Sequence, residues 1–210
     1  MKRGRFFLPI LMLVVALPAT AGVNSSIKVE PGDVVDKDLS TVNGAIRIGD
    51  GATVRGEAES VNGSIDIGRD VQVDGVSVVN GSVEIGEGTV VDGDVSTVNG
   101  RISMENGTRA REVATVNGQL DLDGVEVETD VSTYNGDVKL TGGTTVGGDI
   151  IIRDSKGNNS RRSKPLKIYI EDGSSVRGDV IVENDDLEVE VYLRGGSVAG
   201  KLRGANIVEK

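Results

Sequence analysis

Asn-Gly recurs at 43–44, 62–63, 80–81, 99–100, 117–118 and 135–136, in steps of 19, 18, 19, 18 and 18 residues. A repeat of this kind constrains the fold more than any single residue can. Each unit must adopt one local structure and bury its apolar face against the next. Aligned on the asparagine, three columns are apolar in every copy. Four residues before it stand Leu39, Ala58, Val76, Val95, Val113 and Val131. Three after it stand Ile46, Ile65, Val83, Ile102, Leu120 and Val138, and five after it Ile48, Ile67, Ile85, Met104, Leu122 and Leu140. Between those two lies a polar column, Arg47, Asp66, Glu84, Ser103, Asp121 and Lys139. Apolar-polar-apolar is strand alternation with one buried face. Asn-Gly also suits a hairpin turn, but a meander reverses at every turn and need not repeat identically on each passage. A unit of 18 or 19 residues with about three short strands and three corners predicts one coil of an all-β, single-stranded β-solenoid.

The repeat runs beyond the Asn-Gly units. Ile27-Lys28-Val29 opens an earlier one, and residues 168–180 match residues 46–58 position by position. Asn184 falls at the asparagine offset, and a looser unit starts at Val191-Tyr192-Leu193. The sum is about eight coils, a rod of roughly 40 Å at ~4.8 Å per strand step. Stacked Asn43, Asn62, Asn80, Asn99, Asn117 and Asn135 are expected to hydrogen-bond amide to amide along the rod. The glycine after each is expected to supply a corner of positive φ. One conflict of parity stands. The column just before the asparagine, Val42, Val61, Val79, Val98, Val116 and Tyr134, cannot share a face with the column four before it on an unbroken strand. Either a bend or bulge intervenes, or one of the two columns faces solvent.

Composition narrows the chemistry. The 210 residues contain no Cys, His or Trp, so Ser-His-Asp and Cys-His nucleophilic sites and Cys/His zinc sites are excluded, and so is a disulfide framework. Residues 1–21 read as a signal peptide. Lys2, Arg3 and Arg5 form the positive region, Phe6 to Leu17 the apolar one, and Ala19-Thr20-Ala21 the cleavage site. The apolar run is shorter than the ~20 residues that span a bilayer. Cleavage after Ala21 takes three positive charges from a formal −10 and leaves −13. The expectation is an acidic, exported chain, periplasmic or secreted to the cell surface. It has no transmembrane segment after cleavage, and nucleic acid is a poor partner. Residues 22–210 form the solenoid domain.

Other candidate chemistry reads as scaffold. The column Thr41, Ser60, Val78, Thr97, Thr115 and Thr133 has the look of an ice-binding face, but Val78 interrupts it and no second threonine column accompanies it. Acidic residues near corners, Asp38, Glu57, Asp94 and Asp130, offer oxygen ligands for Ca²⁺. The glycine-rich nonapeptide of calcium-dependent β-rolls is missing, so solvated charge is the better reading. Asp185 and Asp186 are adjacent on the chain and point apart on a strand, which gives no glycosidase geometry. No cofactor, metal site or catalytic residue is expected.

One copy breaks the pattern. After Ile150-Ile151-Ile152 the apolar strand resumes only at Leu166, and the insert 153–165 takes the place of an Asn-Gly corner. It carries Arg153, Lys156, Arg161, Arg162 and Lys164 against one acid, Asp154, a net +4. Loops that interrupt repeats lie at the surface and often carry function. A tolerated insertion is the plainer reading, and an anion-binding loop the sharper one.

Ser40-Thr41-Val42-Asn43-Gly44, Ser60-Val61-Asn62-Gly63 and Ser96-Thr97-Val98-Asn99-Gly100, with their Val/Ile-x-Val/Ile followers, resemble the bacterial β-strand-repeat adhesin family. More distantly they are similar to the bactofilins, which are polymer-forming β-helices. The resemblance spans roughly residues 27 to 200 and implies a right-handed, single-stranded β-helix without catalytic residues. Bactofilins are usually cytosolic, which sets this exported chain apart from them. The expected function is a non-enzymatic structural or adhesive module of the cell envelope. Its expected partners are a second copy end to end, or envelope polysaccharide. The alternative is a carbohydrate-binding or carbohydrate-active β-helix.

Overall fold

The computed structural model describes residues 24–154, 164–184 and 186–209, residue 209 by its backbone alone. The expected signal segment lies outside these residues. Among the described residues there is no helix. The chain winds as a solenoid, and each coil contributes a strand to each of three stacks. The first stack is a ten-stranded parallel sheet running from Ile27–Val29 through Ile46–Ile48, Ile65–Ile67 and Val83–Ile85 to Asn206–Glu209. The other two stacks join into one sixteen-stranded sheet, because Thr53–Asn62 and Gln72–Asn80 run unbroken around the corner between them. Elsewhere that corner separates two-residue strands such as Val90–Val91 from longer ones such as Val95–Asn99. Strands pair in parallel with their equivalents one coil on: Ile46 with Ile65, Ile65 with Val83, Val83 with Ile102.

Ten strands in the first sheet make nine coils, one more than the repeat count. The difference lies at the C-terminal end. Asn206–Glu209 pairs with Val189–Arg194 through a register shift between Val191 and Tyr192. The apolar-polar-apolar signature is blurred there.

Alternation explains the strands. In Ile46–Ile48, Val83–Ile85 and Ile102–Met104 the outer residues are buried and the middle one is not. Stacked coils thus build one continuous core of Val, Ile and Leu from Val29 to Val191. Each such side chain taken from water contributes roughly 1.5–3 kcal/mol. The conflict of parity resolves outward. Positions four and two before the asparagine point into the core, so Val95 and Thr97 are both buried. The valine just before it, and Tyr134 in its place, are half-exposed on the outer surface. The threonine column therefore faces the core and offers no surface. Three of its hydroxyls donate to main-chain carbonyls: Thr41 to Ser25 at 2.8 Å, Ser60 to Gly44 and Thr97 to Gly81 at 3.1 Å.

Apart from Gly81, whose φ of 158 is nearly extended, positive φ occurs at a different corner from the one expected. It falls after each first-sheet strand, at Gly51 (φ 69), Asp70 (φ 52), Gly88 (φ 71) and Gly107 (φ 74). The glycines of Asn-Gly are required by close approach instead. A Cβ on Gly63, Gly100 or Gly118 would collide with the carbonyl oxygen of the equivalent glycine one coil earlier.

Candidate functional site

The six asparagines form one ladder on the outer edge of the long strands, and all are exposed. Each donates from Nδ2 to Oδ1 of the asparagine one coil before. The chain of bonds runs Asn43 to Asn24 at 2.7 Å, Asn62 to Asn43 at 2.9 Å, Asn80 to Asn62 at 3.0 Å and Asn99 to Asn80 at 2.9 Å. It ends with Asn117 to Asn99 at 3.1 Å and Asn135 to Asn117 at 3.4 Å. Asn24 starts the ladder although Ser25 follows it, which hid it from a search on Asn-Gly. Its spacing of 19 residues from Asn43 was the available signal. Asn184 does not continue the ladder; its Oδ1 accepts the Asp186 amide at 2.9 Å in a local turn.

The acidic corner column does more than face water. Asp38 Oδ1 accepts the Glu57 amide at 3.0 Å, Asp130 that of Asp149 at 2.7 Å, Asp149 that of Asp179 at 2.7 Å, and Asp179 that of Lys201 at 2.8 Å. These carboxylates staple one coil to the next, so the solvated-charge reading is corrected. Asp94 holds the Arg111 guanidinium in a fork, with both bonds at 2.8 Å. Burial, with Asp94 and Asp130 beside it, raises the pKa of Glu112 against the opposing pull of Arg153 and Arg111. Burial first, then Glu57 and Asp38, raises that of Glu59. The Lys201 amide, aided by Arg203, lowers that of Asp179. Among the described residues no group of three or more acids is placed to hold a metal ion.

Of the basic insert, Lys156, Arg161 and Arg162 lie outside the described residues, as does Asp185. Lys164 is exposed, while Arg153 is half-buried, with its amide donating to Thr133 O at 2.8 Å.

Two of the three tyrosines, by contrast, meet. Tyr169 and Tyr192 stack on the outer face of the first sheet with ring centroids 4.9 Å apart. Lys167 and Arg194 lie 5.7 and 5.5 Å from the Tyr192 ring, and the Tyr192 hydroxyl donates to Glu190 at 2.8 Å. Near the other end of the same sheet a groove of about 490 Å³ is lined by Lys28, Arg47, Asp66, Glu84, Ser103 and Glu105. Its charges are largely matched, Arg47 with Asp66 at 3.4 Å and Lys28 with Glu30 at 2.9 Å.

The sequence reading missed a second inward column, Thr89, Thr108, Thr144 and Ser174. Its signal was the glycine before each one. Thr89 Oγ1 donates to Gly68 O at 2.9 Å and Thr144 Oγ1 to Leu122 O at 3.0 Å, each clasping the coil before.

No helix among the described residues is long and apolar enough to cross a membrane. No family model, curated protein or solved structure matches the chain. Its class therefore rests on the fold. It is a single-stranded parallel β-helix whose asparagines bond to their own equivalents, while its repeated hydroxyls and carboxylates bond to the main chain of a neighbouring coil.

Proposed function

We propose that this chain is a non-enzymatic, exported rod of the cell envelope, structural or adhesive, that associates with itself end to end. One observation carries the reading. The three large hydrophobic side chains exposed among the described residues all lie at the ends of the solenoid: Val34 at 58%, Ile207 at 44% and Val208 at 51%. The terminal strands Ile27–Val29 and Asn206–Glu209 each have a partner on one side only. Unpaired strand edges bonded to apolar surface are templates for another chain. A contact between opposite ends translates along the rod and does not close. Envelope polysaccharide is the second partner we propose, met by the cations of the insert.

The net charge of −13 after cleavage opposes association, and salt screens it. Sedimentation of the mature chain across a salt series should therefore show weak association that strengthens with salt. Ile207→Lys should abolish the effect. A monomer at every salt and protein concentration would refute the end-to-end reading.

A further inference from the structure

The asparagine ladder is not uniform, and the way it loosens singles out one peptide bond. At four corners the glycine amide after the asparagine is bonded to the next coil: Gly44 to Asn62 O at 3.2 Å, Gly63 to Asn80 O at 3.0 Å, Gly81 to Asn99 O at 3.0 Å and Gly100 to Asn117 O at 3.1 Å. Among the described residues, the amides of Gly118 and Gly136 have no such bond. The hydroxyls change at the same place. Thr97 reaches Gly81 O, whereas Thr115 and Thr133 are buried with no hydrogen-bond partner among the described residues. The amide bonds lengthen to 3.1 and then 3.4 Å. The strand Val131–Thr133 also stops short of its asparagine, unlike Val113–Asn117. Among the described residues Asn135 is last in the ladder, donating one long bond and accepting none from a further asparagine.

We propose that Asn135-Gly136 is a site of spontaneous covalent modification, deamidation, and that the intact ladder shields Asn43, Asn62, Asn80 and Asn99 from the same reaction. Glycine after asparagine leaves the peptide nitrogen unhindered. The Gly136 nitrogen gives up its proton to hydroxide and bonds to Cγ of Asn135. Nδ2 departs as ammonia and a five-membered imide closes. Water then opens either C–N bond of the imide, giving aspartate or isoaspartate with no change of oxidation state. The reaction needs a free amide nitrogen and a side chain able to turn toward it. At the four shielded corners both groups are tied to a neighbouring coil, although the side chains are exposed. Exposure is thus not the discriminant; the second bond is. Asn117, held on both sides but followed by an unbonded amide, comes next in order.

The test is peptide mapping by mass spectrometry of the folded full chain held in mildly alkaline buffer, with the same chain in urea giving each site its intrinsic rate. The four shielded sites should react at least about tenfold more slowly folded than in urea, and Asn135 within about threefold of its urea rate. Asn135 protected as strongly as the other four, or those four reacting as fast as Asn135 in the folded chain, would overturn the assignment. So would Asn117 leading Asn135.

Discussion

Glu112 sits in the acidic corner column between Asp94 and Asp130, partly withdrawn from water, with its pKa raised. A carboxylate easier to protonate in the folded chain than in the unfolded one weakens the fold wherever it is ionised. Stability from this group is therefore present below the unfolded pKa and lost as pH rises through the folded one. Glu112→Gln should raise the melting temperature at neutral pH. The gain should vanish below roughly pH 4, where the wild-type carboxyl is neutral in both states. An equal gain at both pH values would show that packing, not charge, is responsible. Asp179 has the opposite sign, since its lowered pKa contributes stability that is lost on acidification. At this scale the asparagine column was legible, because a repeated amide on the same offset has its own equivalent as nearest neighbour. The glycine column was legible as a requirement but not for its reason. Positive φ and close approach demand the same residue, and only the stacked carbonyls distinguish them.

Strand phase is the property of the element. Ile85 is 2% exposed inside the first sheet, while Glu84 beside it points to water. Ile85→Asp buries an unpaired charge and should cost several kcal/mol in chemical denaturation, whereas Glu84→Lys should stay within about ±0.5 kcal/mol. Equal effects would sink the phase. The three apolar columns fixed that phase from the sequence alone, since strands of three residues leave no room for another assignment. The valine before each asparagine was not legible in the same way. A half-exposed valine on an outer surface and a buried one in the core are spelled alike. The threonine column was legible as scaffold, but its facing was not: a hydroxyl that bonds to a carbonyl inside the core, as that of Thr97 does, can occupy a position the sequence offers to solvent. The corners proved to be made by different devices, φ at Gly51 and Gly88, carboxylate staples at Asp38 and Asp130, and amide stacking at the asparagines.

On the scale of the whole molecule each coil touches only the coils before and after it, so stability adds along the rod. Interruptions between coils should then be cheap. The insert separates Ile150–Ile152 from Leu166–Glu171, yet Ile152 pairs with Thr133 and Val182 as its position in the stack requires, and Ile168 pairs with Val138. Deleting residues 155–164 should leave the melting temperature nearly unchanged. A large drop would mean that the insert contributes to the core. The coil count was nearly legible from spacing, and it failed only where Asn206–Glu209 pairs across a shifted register without an apolar-polar-apolar signature of its own.

The glycine column gives this architecture a gauge. With no room for a side chain between these glycines and the carbonyl oxygens of the coil beneath, neighbouring coils keep the spacing of their paired strands at this corner too. The molecule therefore comes in whole increments of about 4.8 Å. Duplicating or losing one 18-residue unit lengthens or shortens it by one graduation and leaves the cross-section unaltered. The length of such a chain can thus be changed by counting coils, without redesigning a single interface.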